Sequence, residues 1–380
     1  MAELAPRRSR IDARFYIGHG AADHVKELVQ ANGATCVVVG CELSPAQTRN
    51  LEDVVEVTVL DRTQVILDIF AQRARSKEGA IQVELAQLNY LLPRLVGRGT
   101  LLSRLGGGIG TRGPGEQKLE VDRRRIRERI GRLEREIESV RRSRSQQRKS
   151  RERLPWPAFA LVGYTNAGKS LLMNRLSGAG VLVEEKLFAT LDPTTRLVEL
   201  PMGMRALVSD TVGFIRDLPP KLVAAFAATL EEVVEADFLL HVLDASHPEV
   251  ERHEAVVREV LDELGAGETP VVLALNKIDL VPEADQRERL AKSHPDSVAV
   301  SALTGEGIER LLALMAGKVA EGRCWATFRV PPAEGWALAL LHERGSVEAQ
   351  RFEDGVYVVK ALVSRRELGK LSRYLAPEGD

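Results

Sequence analysis

Aromatic residues are scarce in this 380-residue chain, at 4%, and there are only three cysteines. Cys36, Cys41 and Cys324 are an odd number, and no pair has metal-ligand spacing to a second pair. A disulfide scaffold and a cysteine-rich zinc module are therefore excluded. Reduced thiols are expected, with Cys36 and Cys41 as small apolar core residues. No apolar run approaches the ~20 residues that cross a bilayer, and MAELAPRRSR lacks the apolar centre of a secretory signal. No membrane span and a cytoplasmic location are expected.

Net charge is also nearly absent, at −1, but it is unevenly spread. Between Arg112 and Arg153 sixteen Lys/Arg stand against eight Asp/Glu, a net of +8, which leaves the rest of the chain at −9. One basic element is carried on a mildly acidic body, and a polyanionic partner fits it. Residues 1–77 alternate short apolar runs (ARFYIG, TCVVVG, VEVTVL) with helical patterns, which predicts a small α/β domain. Over 78–154, Ile81, Leu85, Leu88, Leu92 and Leu95 are spaced 4, 3, 4, 3, and Ile126, Ile130, Leu133, Ile137 and Val140 repeat that spacing. Two such stripes predict an antiparallel helical hairpin with a glycine-rich tip at 97–117.

That tip contains Gly108-Ile-Gly110-Thr-Arg112-Gly113, the spacing of a dinucleotide-binding turn. No βαβ unit surrounds it, so the dinucleotide reading is rejected. Glycines let the backbone approach a surface closely, and with Arg112 they suit contact with RNA. Arg123, Arg124, Arg125 and Arg127 on the helix that follows extend the candidate contact.

The region 155–322 carries the clearest chemistry. FALVG, a strand, runs into Gly163-Tyr164-Thr165-Asn166-Ala167-Gly168-Lys169-Ser170 and then a helix. This is the context of a phosphate loop: backbone N–H groups wrap phosphate oxygens, Lys169 reaches the β and γ phosphates, and the Ser170 hydroxyl binds Mg²⁺. Asp210-Thr211-Val212-Gly213 ends a second apolar strand. Asp210 can hold Mg²⁺ through water, and the Gly213 N–H can meet the γ phosphate. Asn276-Lys277-Ile278-Asp279 follows a third strand. The Asp279 carboxylate can accept from both N1–H and N2–H of guanine, a donor pair adenine lacks. Ser301-Ala302-Leu303 supplies backbone for guanine O6. The four motifs in this order predict a GTPase with a doubly wound, mostly parallel sheet and the ligand at the strands' carboxyl ends. Residues 323–380 read as strand, helix, hairpin turning at Glu353-Asp354-Gly355, and helix: a small α+β domain with His342 as a surface residue.

GIGTRGPGEQKLE, GYTNAGKS, LFATLDPTTR, DTVGFIRDLP, NKID and SAL together resemble the HflX-type GTPases, from about residue 14 to about 320. The resemblance implies that LFATLDPTTR is the first switch. Thr190 is then the second protein ligand of Mg²⁺, with Phe188, Ala189, Leu191 and Asp192 beside the nucleotide; chemistry alone leaves Thr190, Thr194 and Thr195 open. Lys169, Thr190 and Gly213 become the catalytic set. The resemblance also implies a partner, the large ribosomal subunit. The hairpin tip would enter its peptidyl-transferase region, and a monomer would split or rescue stalled or idle ribosomes under stress. A ribosome-assembly GTPase, and a signalling GTPase with a coiled-coil arm, are the alternatives. Family members carry a further strand and helix before ARFYIGHGAADHVKELV, and this sequence begins almost directly there. Either the first domain is abbreviated or the start codon lies upstream. Where Ras-like GTPases place a water-orienting Gln, this chain has Phe214, so slow intrinsic hydrolysis is expected.

Overall fold

The computed structural model describes residues 2–4, 11–74, 76–95, 114–151, 156–178, 193–215, 230–321 and 323–376. These residues fall into two compact units, one drawn from 1–140 and the other from 141–218 and 226–380.

In the first unit, α1 (His19–Asn32), α2 (Pro45–Val55) and α3 (Arg62–Arg73) accompany two short strands, β1 (Cys36–Val39) and β2 (Thr58–Asp61). The strands pair in parallel, from Cys36 opposite Thr58 to Val39 opposite Asp61. ARFYIG is not the strand its apolar pattern predicts. The Asp12 carboxylate accepts the N–H groups of Arg14 and Phe15 at 2.8 and 2.7 Å, which turns the chain there and drops Phe15 into the core. Cys36 is not a core residue, whereas Cys41 is half-buried and packs against the apolar core of this unit. Alternate side chains of β1 face outward, and Cys36 is among them.

The hairpin is α4 (Lys77–Arg94) and α5 (Pro114–Arg151). Ile81, Leu133 and Ile137 are buried together, with Leu85 and Leu88 packed against them, so the two heptad stripes face each other near the base. The Arg129 guanidinium forks onto Glu84, Nε to Oε1 and Nη2 to Oε2, both at 2.7 Å. That pair holds the Glu84 carboxyl below its ordinary pKa. At the other end of α4, Arg94 donates to the fully buried Asp61 carboxylate at 2.9 Å and to the Leu43 carbonyl at 2.8 Å, and its guanidinium stacks on Tyr90. Asp61 also caps α3 through the Gln64 N–H. The arm is thereby tied to the small α/β body. The glycine loop, with Gly108, Gly110, Arg112 and Gly113, lies outside the described residues.

The second unit is built on a six-stranded sheet in the order β4-β5-β3-β6-β7-β8. Its strands are β3 (Ala158–Val162), β4 (Thr194–Glu199), β5 (Arg205–Asp210), β6 (Phe238–Asp244), β7 (Val271–Asn276) and β8 (Ser297–Ala299). All neighbours are parallel except β4, which runs antiparallel to β5 at the edge. The described helices of this sheet are α6 (Lys169–Leu176), α7 (Val250–Glu263), α8 (Ala284–Ser293) and α9 (Ile308–Ala320). Central strands such as β3 and β6 read as near-continuous apolar runs because both their faces are covered. The chain leaves β3 for β4 and β5 on one side and continues to β6 on the other. A crevice therefore opens at the carboxyl ends of β3 and β6.

The C-terminal residues form a three-stranded antiparallel sheet, β10-β11-β9, from β9 (Arg323–Val330), β10 (Ser346–Glu353) and β11 (Val356–Ser364), with α10 (Gly335–Arg344) and α11 (Arg365–Lys370). Asp354 and Gly355 turn the hairpin with φ of 50° and 77°, the two left-handed residues of a type I′ turn. His342 is exposed and meets Gln350 Oε1 at 2.6 Å.

Candidate functional site

Gly163–Ser170 crosses from the end of β3 into α6 at the crevice. The loop can take that path only with glycine at both ends. Gly163 has φ 153°, and a Cβ there would strike the Val242 carbonyl oxygen on β6. Gly168 has φ 92°, and a Cβ there would strike the Asn276 side chain. Asn166 adopts the left-handed region as well, at φ 63°. Among the described residues, no protein acceptor meets the backbone N–H of Asn166, Gly168 or Lys169. Unpaired N–H groups in such a turn, at a helix N-terminus, form an anion-binding concavity.

The other motifs converge on this loop. Asn276, buried at the end of β7, donates Nδ2 to the Ala167 carbonyl at 2.8 Å and accepts the Ala302 N–H on Oδ1 at 3.0 Å. One amide thus ties the phosphate loop to Ser301-Ala302-Leu303. Arg175, on α6, reaches the same segment, donating to the Ala302 carbonyl at 3.2 Å and to that of Leu303. The buried Ser301 hydroxyl accepts the Thr304 N–H at 3.1 Å. Lys277 sits at φ 63° and pairs with Asp244 at 2.6 Å. Ile278 is buried, whereas Asp279 is half-buried, with no hydrogen-bond partner for its carboxylate among the described residues.

On the opposite side, Asp210 is buried at the end of β5 and Thr211 bonds the Leu161 carbonyl of β3. Val212 is buried. Phe214 is buried too, and its backbone is stitched to the loop: its N–H donates to Gly163 O at 3.1 Å and its carbonyl accepts Thr165 N–H at 2.7 Å. A Cβ on Gly213 would come within 2.8 Å of Thr165 Cα and 2.9 Å of Lys169 Nζ, so only glycine allows this approach. Lys169 is buried and donates Nζ to the carbonyls of Gly163 and Tyr164 at 3.0 and 3.1 Å. Burial lowers its pKa to about 8, against the opposing pull of Asp210.

This gives an expected pH dependence for the nucleotide-free protein. Between about pH 8 and 10.5 the unfolded chain holds a proton on Lys169 that the folded chain has lost, so stability rises with pH across that window. Below it the folded state carries a buried charge. A Lys169→Met variant lacks this rise. The gap in unfolding free energy between variant and wild type is therefore expected to shift by roughly 1 to 3 kcal/mol in favour of wild type from pH 7.5 to pH 10. Urea titrations at the two pH values measure it, and a gap that does not move with pH refutes it.

The structure therefore brings together Gly163–Ser170, Asp210–Gly213, Asn276–Asp279 and Ser301–Leu303. Phe188, Ala189, Thr190, Leu191 and Asp192 lie outside the described residues. Arg123, Arg124, Arg125 and Arg127 are on α5 in the first unit. Arg123, Arg124 and Arg125 make ion pairs with Glu120, Glu128 and Asp122 at 3.8, 2.9 and 4.0 Å, and the side chains of Arg124 and Arg125 stay more than three-quarters exposed. Sequence reasoning missed Arg175, Asp244 and the stacking of Tyr164 on His253. Asp244 carried a signal, as the acid ending an apolar strand; the other two depend on distant segments meeting.

Three family models cover this chain: GTP-binding GTPase N-terminal over residues 1–71, GTP-binding GTPase Middle Region over 73–151, and 50S ribosome-binding GTPase over 158–277. GTPase HflX of Caldanaerobacter subterraneus subsp. tengcongensis is 48% identical over 364 residues, covering 95% of this chain and 83% of the relative. GTPase HflX of Escherichia coli is 45% identical over 342 residues, covering 90% and 80%. Among solved structures, a GTP-binding protein from Sulfolobus solfataricus in complex with GDP aligns at 26% identity and TM-score 0.45, over 83% of this chain and 89% of that one.

Proposed function

This chain belongs to the HflX GTPase family, and from that premise we propose that it binds the large ribosomal subunit in its GTP state, splits or rescues stalled or idle ribosomes, and leaves on hydrolysis. The observation that supports the nucleotide half is the Asn276 bridge, which ties Ala167 of the glycine loop to Ala302 of the Ser301–Leu303 segment.

In this reading the N–H groups of Asn166, Gly168 and Lys169 donate to phosphate oxygens, and the Lys169 ammonium turns to the β and γ phosphates. Lys169 then regains the charge balance that burial denies it. Asp279 accepts two guanine N–H groups, and the Ala302 segment meets O6. Ser170 and Asp210 are hard oxygen donors of the kind Mg²⁺ takes, so the residues present fit that ion; Thr190 joins them by the family resemblance. Mg²⁺ bound there neutralises charge on the phosphates. Closure of the Gly213 N–H onto the γ phosphate distinguishes GTP from GDP.

The ribosomal half rests on the +8 charge of the 112–153 segment, on the exposed arginines of α5, and on the family of the 158–277 region. A cytoplasmic monomer whose glycine tip reaches the peptidyl-transferase region is the fuller form of the proposal. Co-sedimentation with purified subunits tests it. Pelleting with the large subunit is expected with a non-hydrolysable GTP analogue and not with GDP. Pelleting only with immature particles would favour the assembly reading, and none at all would favour a protein-binding module.

Phe214 adds a kinetic expectation. A buried phenyl ring orients no water, so the protein alone is expected to turn over GTP on the order of 10⁻³ s⁻¹, as GTPases without a completed catalytic set do. Large subunits should raise the rate by about 10²-fold or more. Phosphate release with and without subunits measures both; fast turnover by the protein alone refutes the expectation.

A further inference from the structure

The stretch DASHPEVERH, residues 244–253, leads from β6 into α7 beside the phosphate loop. It places His247, Glu249 and His253 together: one donor atom from each lies within 4.8 Å of the other two. The two imidazole rings are 4.2 Å apart, centre to centre, at a 38° tilt. His253 is held in turn by the phosphate loop, its ring stacked on that of Tyr164 at 3.8 Å and 5°.

Two imidazoles and a carboxylate are the donors of zinc sites, unlike the all-oxygen sets that Mg²⁺ takes. We propose that His247, Glu249 and His253 form a second metal site, for Zn²⁺ or a neighbouring transition-metal ion, one ring away from the phosphate loop. Bonds of ~2.0–2.2 Å in a tetrahedral site put donor atoms roughly 3.3–3.6 Å apart. A water fills the fourth position.

The surroundings support ligation and limit its strength. Burial lowers the His253 pKa, which favours the neutral ring that ligation needs. Arg252 donates to Glu249 Oε1 at 2.8 Å, which leaves the second carboxylate oxygen for the metal and steadies the group from outside. The positive charge of Arg252 opposes a cation, and the Asp244 carboxylate, itself paired with Lys277, acts on His253 in the other direction. The Glu249 N–H donates to His247 Nδ1 at 3.1 Å, and the metal must displace that bond or turn the ring to use Nε2. Because His253 lies on Tyr164, ligating it acts on the phosphate loop.

The test is a titration of the full chain with Zn²⁺ against a chromophoric chelator, repeated for His247→Ala and His253→Ala. One Zn²⁺ per chain is expected, with each substitution weakening binding by about tenfold or more. Thermal unfolding without metal confirms that the variants fold, and His253→Gln serves if His253→Ala does not. Titration with Co²⁺ should give the visible bands of nitrogen and oxygen ligation without the intense near-ultraviolet thiolate band. No saturable binding, a thiolate band, or binding that survives both substitutions overturns the proposal, the last two by placing the ion on Cys36, Cys41 or another group.

Discussion

Asp279→Asn is expected to weaken GTP binding by about 10²- to 10³-fold while leaving the fold intact. The carboxylate is half-buried and makes no hydrogen bond to a described protein group, so its removal strands nothing. What goes is a pair of charge-assisted bonds to guanine N1–H and N2–H, each worth about 1.5–3 kcal/mol. The asparagine amide can still accept from N1–H, but its NH₂ then faces the guanine N2 amine, donor against donor. Xanthine has a carbonyl at that position. XTP should therefore bind the variant better than GTP does, reversing the wild-type order. Titration with fluorescent GDP, competed by GTP or XTP, reads this directly. Unchanged GTP affinity would remove Asp279 from the base site. A loss for both nucleotides with no reversal would mean that the substitution disturbs the loop rather than recognition. Asn276→Ala offers a contrast: it breaks a bridge inside the protein, so thermal stability should fall along with affinity.

The second large effect lies on α5. Replacing Arg123, Arg124, Arg125 and Arg127 together by Gln is expected to weaken binding to the large subunit by about 10²-fold or more, and to lower the slope of log K against log salt by about 3 to 4. Glu120 pairs with the half-buried Arg123, and Glu128 and Asp122 pair with Arg124 and Arg125, exposed pairs of a kind that contributes only about 0–1 kcal/mol. They yield readily to phosphate. Glutamine keeps the helix, since the seam is carried by Ile81, Leu133 and Ile137 on the facing sides and by the Arg129–Glu84 fork. GTP binding should be unaffected. Co-sedimentation across a salt series checks the result, and a variant that pellets like wild type at every salt concentration assigns ribosome contact elsewhere.

The heptad stripes show how far a period can carry an inference. Spacings of 4 and 3 require one helix face to be apolar, and the two faces meet at Ile81, Leu133 and Ile137 as that spacing predicts. The ion pair between Glu84 and Arg129 was not legible, because charged residues are plentiful on both helices and only the register chooses among them. ARFYIG marks the opposite limit. Its apolar content suited a strand, but one aspartate side chain competing for two backbone N–H groups turned it. Cys36 was misjudged for a related reason. Apolar character says that a residue can be buried, and only the pairing of β1 with a single neighbour decided that its outer face stays open.

By itself the sequence carried the motifs on which the proposed site rests. Glycines at 163 and 168, a lysine and serine after them, and acids ending strands β5 and β7 or following them are local requirements of phosphate and guanine recognition, and local requirements are written in order along the chain. Tertiary structure alone decided which groups hold the site in shape. Asn276 bonds to Ala167, 109 positions away, Arg175 to Leu303 across 128, and Tyr164 lies on His253 from another element. Such contacts have no spacing rule, because they depend on the order of strands in the sheet. That order is set by the burial of apolar surface across the whole unit, and no single segment of the chain contains it.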